Sequence, residues 1–101
     1  MTELRYLDFD YSEDTEGHGT FDAMASTAPE KTREVHAEIA QVLAWAEATF
    51  PDSRGALEEG ATWDFDLQET SEDPRFDTVT FSLSGTADFC AALREQFSLE
   101  D

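Results

Sequence analysis

The sequence predicts an α+β fold: a tandem ββα repeat forming a four-stranded antiparallel sheet with two helices packed on one face. Three observations predict it. The stretch LDFDYSEDTEGHGTFD, from Leu7 to Asp22, is echoed by WDFDLQETSEDPRFD, from Trp63 to Asp77. Each copy alternates apolar and polar residues, breaks at an acidic loop and alternates again, which is the pattern of a β-hairpin. Each is followed by a run whose apolar residues recur at helical spacing. One ββα unit cannot cover its own apolar faces, whereas two together close a shared core. The 101 residues therefore read as a single domain, 1–101, with pseudo-repeat halves at about 3–50 and 61–98.

In the first strand Leu7, Phe9 and Tyr11 share one face, and Tyr6, Asp8 and Asp10 the other. The returning strand carries Phe21, Ala23 and Ala25 inward. The first helix, APEKTREVHAEIAQVLAWAEATF, opens with a Thr27/Glu30 capping-box spacing and has Pro29 in its first turn, where a missing N–H costs nothing. Val35, Ile39, Val42, Leu43, Ala46 and Phe50 form its apolar stripe, and Pro51 ends it. The loop PDSRGALEEG leads to a third strand with Trp63, Phe65 and Leu67 on one face and Thr62, Asp64 and Asp66 on the other. Val79, Phe81 and Leu83 share a face of the fourth. Matching Phe21-Asp22 to Phe76-Asp77 puts Phe21 inward and Phe76 outward, so a bulge or the one residue lacking from the second loop must absorb the slip. The second helix, TADFCAALREQFS, is capped by Thr86, with Asp88 near its positive end and Phe89, Cys90, Leu93 and Phe97 as its stripe. Leu99, Glu100 and Asp101 are expected to fray. A pseudo-twofold axis normal to the sheet fits the strand orders 2-1-3-4 and 1-2-4-3, and a meander with a crossover also fits the element order.

Six basic residues face 24 acidic ones, a formal net charge of −18. Such a chain repels phosphate backbones and anionic membranes, so neither nucleic acid nor membrane is an expected partner. It steers a basic protein towards itself. Solubility, or a salt-adapted source with Lys31 as its one lysine, accounts for the same acidity. MTELRYLDFD has neither a basic start nor an apolar run, so no signal peptide is expected. With Cys90 the one cysteine, the expected location is a reducing cytoplasm.

Candidate chemistry is sparse. Asp8 with Asp10, and Asp64 with Asp66, are paired carboxylates on the outer strand face, where they hold a hard cation or simply face water. The stretch from Asp8 fails as an EF-hand, because Glu13 stands where glycine is needed and Gly19 where a bidentate glutamate is needed. SEDTEGHGT is at most a loose acidic cation loop. His18, between Gly17 and Gly19, reads as part of a turn, and His36 as a helix-edge residue. Cys90 reads as core packing. No zinc spacing, phosphate loop or nucleophile elbow is present, and no cofactor is implied. Trp45 lies about 110° from the centre of its helix's apolar stripe. It serves as an exposed anchor or completes the core over a sheet edge. Tyr6, Met24 and Phe76 on the outer sheet face are the other candidate interaction anchors.

The reading is a small acidic, non-enzymatic interaction module that recognises a basic protein or self-associates as a homodimer. The alternative is a divalent-cation or small-ligand domain using the paired aspartates. An enzyme built on His18 and acidic residues requires a concave pocket beside it. The charge has a direct consequence for stability, because added salt screens self-repulsion. The thermal unfolding midpoint should rise between about 10 mM and about 300 mM NaCl. A midpoint that does not move contradicts this.

Overall fold

A computed structural model describes residues 4–97, excepting the side chains of Glu58 and Glu72. Its elements run β1 (Asp10–Glu13), β2 (Gly19–Thr27), α1 (Pro29–Thr49), a 3-10 turn (Leu57–Glu59), β3 (Trp63–Asp73), β4 (Phe76–Gly85) and α2 (Ala87–Phe97). Two helices and one four-stranded antiparallel sheet make it α+β. The strand order is β1-β2-β4-β3, one of the two orders compatible with a dyad, so β2 and β4 are central and β1 and β3 are edges. The proposed outer limits of the halves, residues 3 and 98, and the terminal Leu99–Asp101 lie outside the described residues.

Alternation decides what the central strands bury. Phe21, Ala23 and Ala25 of β2 and Val79, Phe81 and Leu83 of β4 are buried, while Asp22, Met24 and Ser26 between them on β2 are exposed. Both helices pack against β2 and β4. They contribute Val35, Ile39, Val42 and Ala46 from α1 and Phe89, Cys90, Leu93 and Phe97 from α2 to one contiguous cluster. Burying each large side chain of this kind is worth about 1.5–3 kcal/mol.

Two opposed glycines set how closely α2 approaches. Gly19 of β2 faces Gly85 of β4 in register. A Cβ on Gly85 would collide with the Phe89 ring, and one on Gly19 would meet Tyr11 at 2.6 Å and the Cys90 sulfur at 2.8 Å. The bare backbone lets Phe89 and Cys90 rest on the sheet, and the Cys90 thiol donates to the Gly85 carbonyl at 3.7 Å. Phe89 then stacks on Trp63 with centroids 5.6 Å apart.

The structure departs from the sequence reading in two places and decides two points that the sequence left open. First, β1 begins at Asp10, not near Tyr6. The preceding segment is tied to α1 instead: the Glu38 carboxylate accepts the N–H groups of Arg5, Tyr6 and Leu7 at 2.6, 3.0 and 3.2 Å. Those donors are satisfied by a side chain, so no ladder is needed there. Leu7 and Phe9 are buried all the same, and the Phe9 ring meets Phe21 and Phe81, the latter also touched by Phe65 of β3. Second, α1 has Ala28 at its N-cap with no side-chain cap, and the Lys31 N–H donates to the Ala28 carbonyl at 2.8 Å. The expected capping box does not form. Thr32, buried, donates instead to Asp77 of β4 at 2.9 Å, and Thr27 lies 3.4 Å from the same hydroxyl. Donation from the Ser71 and Thr32 hydroxyls holds the Asp77 carboxyl below the usual carboxylate range. The α2 cap does form, with Thr86 accepting the Phe89 N–H at 3.4 Å.

Third, the Phe-Asp match between the hairpins is not a positional equivalence. β1 and β2 are joined by a loop, whereas β3 and β4 run on to a tight turn at Pro74 and Arg75. Phe76 therefore sits at the turn and is 46% exposed, whereas Phe21 faces Leu83 and is 1% exposed. A register irregularity between Thr70 and Asp73 accompanies the change. Fourth, Trp45 is half-buried, its ring 5.6–6.1 Å from those of Phe50, Phe89 and Phe97. It packs against the core beside α2, the core-completing placement that the sequence offered alongside an exposed anchor.

The glycine pair generates a stability test. Gly85→Ala should cost about 1–3 kcal/mol, because the added methyl must displace Phe89 and with it the Trp63 stack. A urea titration should show an earlier midpoint. An unchanged midpoint would mean that α2 does not depend on this close approach.

Candidate functional site

Two places carry the polar residues that a function would use. The first is the outer face of the sheet, on the side opposite Phe21 and Phe81. Its rows follow from the register. Asp10, Asp22, Ser82 and Asp66 lie side by side across all four strands, and Ser12, Thr20, Ser84 and Asp64 form the next row. Asp10 directly faces Asp22, an unfavourable like-charge pair. The Ser82 hydroxyl softens it by donating to Asp22 Oδ1 at 2.6 Å. Thr20 and Ser84 bond each other at 3.2 Å, and Ser26 and Thr78 at 2.6 Å. Met24 stands among them, 68% exposed, and Phe76 lies on the same side of β4 beneath the Arg75 guanidinium, 5.7 Å from the ring centroid.

The paired aspartates are placed differently from one another. Asp8 precedes β1, so Asp8 and Asp10 are not an i, i+2 pair on one strand. Asp64 and Asp66 do lie on β3, but Asp64 Oδ1 accepts the Phe65 N–H at 2.9 Å and Asp66 Oδ2 accepts from Gln68 at 3.3 Å. Of the four anchor candidates, Met24 and Phe76 are exposed. Tyr6 and Trp45 are half-buried against the core, and Tyr6 is off the outer sheet face because Glu38 holds its segment.

The second place is the β1–β2 loop. Asp14 organises it: Oδ1 accepts the N–H groups of Glu16 and His18 at 2.8 and 2.9 Å, and the Asp14 N–H donates to the His18 carbonyl at 2.9 Å. Gly17 takes the positive φ of +85° that the turn requires. Donation from the His18 N–H, reinforced by that of Glu16, holds the Asp14 carboxyl below the usual range. Imidazole Nδ1 of His18 lies 3.6 Å from Asp14 Oδ2. Ligand atoms of Asp14, Glu16 and His18 converge within 4.8 Å of one another, the one such group among the described residues. They border an open hollow of about 270 Å³, completed by Thr20, Leu57 and Ser84. This is the concavity that chemistry at His18 requires, but the hydroxyls on its wall bond each other. Carboxylate and imidazole donors suit a divalent cation, although Asp14 is already committed to closing the turn.

Other candidates have structural roles. His36 Nε2 lies 2.6 Å from Glu69 Oε1, joining α1 to β3. Cys90 is buried, and burial pushes its thiol pKa up, away from a reactive thiolate. The Arg94 guanidinium lies over the Tyr11 ring at 4.0 Å. Among the described residues no helix is long and apolar enough to cross a membrane. Asp22 and Glu38 escaped the sequence reading because their partners are distant in the chain.

Comparison with protein-family models, curated proteins and solved structures gave no significant match. The site must therefore be read from its own geometry.

The loop has a testable pH signature. The folded Asp14 pKa lies below its unfolded value, so the ionised carboxylate contributes its full stabilisation above the ordinary aspartate pKa. That contribution is lost as pH falls through the lower, folded value. A carboxyl-carbon NMR titration should place the Asp14 midpoint below about 3.9. Asp14→Ala should speed hydrogen exchange at the Glu16 and His18 amides, and unchanged exchange would remove Asp14 as the organiser of the loop.

Proposed function

We propose that the protein is a small acidic, non-enzymatic interaction module that recognises a basic protein surface through the uncovered face of its sheet. The observation that carries this is the row Asp10, Asp22 and Asp66 on the outer face, with Met24 exposed beside it. A net charge of −18 steers a basic partner from a distance. Met24, flexible and polarisable, and Phe76 supply apolar contact once the partner arrives. The same charge disfavours a homodimer through this face. The architecture behind this reading is two ββα units sharing one core in a single domain, with both helices on the face away from the partner. In support, the spacing from Ala23 to its partner Phe81 equals that from the start of α1 at Pro29 to the start of α2 at Ala87. A cytoplasmic setting suits the lone cysteine.

The second reading, cation binding, is favoured by one observation: Asp14, Glu16 and His18 converge at an open hollow. It moves the site from the paired aspartates to the loop. Titrating Ca²⁺ or Mg²⁺ while following amide shifts separates the readings, since saturable shifts confined to residues 14–18 favour the loop.

The main reading is tested with a lysine-rich peptide. Asp22→Asn combined with Asp66→Asn should weaken binding roughly two- to tenfold at low salt. Raising NaCl to about 0.5 M should abolish most of the affinity. Binding indifferent to salt would overturn electrostatic recognition.

A further inference from the structure

We infer that the outer edge of β3 is a strand-addition site for an extended basic segment of a partner, in which lysine or arginine alternates with apolar residues. The inference rests on the recognition of a basic partner proposed above and specifies how it is made.

The backbone fixes which groups of β3 point outward. The Thr86 N–H donates to the Thr62 carbonyl at 3.0 Å, so even-numbered residues here turn their peptide groups towards β4. The Trp63 carbonyl accepts the Gly55 N–H at 2.9 Å, and its N–H reaches the Ser53 carbonyl at 3.4 Å, on the opposite side. Odd-numbered residues therefore present their N–H and C=O groups to the edge. Among the described residues, pairing on that side is confined to the Arg54–Trp63 bridge. The Phe65 N–H is occupied by the Asp64 carboxylate. From Leu67 to Glu69 the ladder is open, until the register irregularity between Thr70 and Asp73.

The edge is long and differs on its two sides. β3 spans eleven residues, whereas the other edge, β1, spans four. Towards the outer face stand Asp64 and Asp66. Towards the core side stand Phe65, half-buried, and Leu67, 37% exposed, because the helices lie over β2 and β4. An added strand would set alternate side chains beside the aspartates and the remainder beside Phe65 and Leu67. Charge selects the occupant. A second copy would set acid against acid across the new pair, which is destabilising, whereas lysine or arginine there is favourable. The open register, Leu67 to Glu69, is about three residues long, so the segment pairs over that stretch and its flanks lie beside Asp66 and Phe65.

The test uses the full chain, isotope-labelled, and an alternating Lys-Val peptide of about eight residues. A second peptide is identical but N-methylated on the backbone amides of one edge, which keeps charge and side chains and removes the donors. The unmodified peptide should slow hydrogen exchange at Leu67 and Glu69 and bind roughly tenfold more tightly than the methylated one. Leu67→Pro, which removes only an outward N–H from the ladder, should reduce the difference between the peptides. The methylated arm needs no variant, so the test stands even if Leu67→Pro fails to fold. Equal binding of both peptides, with shifts centred on Asp22 and Met24, overturns strand addition and leaves acidic recognition standing. No binding of either at low salt overturns both.

Discussion

The close seat of α2 on the sheet is the constraint from which the rest of the structure follows. Gly19 and Gly85, opposed on the two central strands, leave no side chain between sheet and helix. Phe89 drops into that space and becomes the centre of an aromatic group. Trp63 stacks on it from β3, Trp45 and Phe50 approach from α1, and Phe97 joins through Trp45. Ring pairs of this kind add about 0.5–1.5 kcal/mol each beyond their buried area. The indole N–H of Trp63 reaches the Phe50 carbonyl at 3.5 Å, so even its polar atom is directed to a partner. Helix, sheet and the end of α1 are therefore held by one contact set.

Concentrating the large apolar residues in that layer leaves the other face of the sheet to polar side chains. Alternation on β2 and β4 makes this unavoidable, because every inward Phe or Val is flanked by outward residues. Here those residues are aspartate, serine and threonine, with Met24 and, near the turn, Phe76 the exceptions. Hydroxyls bridge the strands at Ser26–Thr78, Thr20–Ser84 and Ser82–Asp22. The Ser82 bond to Asp22 offsets part of the repulsion between Asp10 and Asp22. A face assembled this way carries Asp10, Asp22 and Asp66 in one row, the feature on which the proposed recognition of a basic partner rests.

The two edges are treated differently. β1 is short, and the segment before it is captured by Glu38, so this side offers little ladder. β3 is long and protected by charge, by the Asp64 carboxylate on the Phe65 N–H, and by the irregularity near its end. These are the devices by which edge strands disfavour self-pairing, and under the proposed strand addition the same aspartates would favour a strand of opposite charge.

The sequence by itself determined the α+β class, the order of elements, the inward residues of β2 and β4, the helical stripes and the burial of Cys90. Those properties follow from periods of 2 and 3.6 residues, which the local chain carries without reference to distant partners. It also marked the acidic hairpin loop around His18. Only the tertiary structure decided between the two dyad-compatible strand orders, started β1 at Asp10, replaced the Thr27 cap with a Thr32–Asp77 bond and packed Trp45, half-buried, against the core. It alone set Asp10, Asp22 and Asp66 in one row, and brought Glu16 to Asp14 and His18. Apart from the Asp14–Glu16–His18 cluster, which a local turn closes, each of these depends on which backbone groups and side chains meet across long sequence separations. Residue spacing carries no record of that choice.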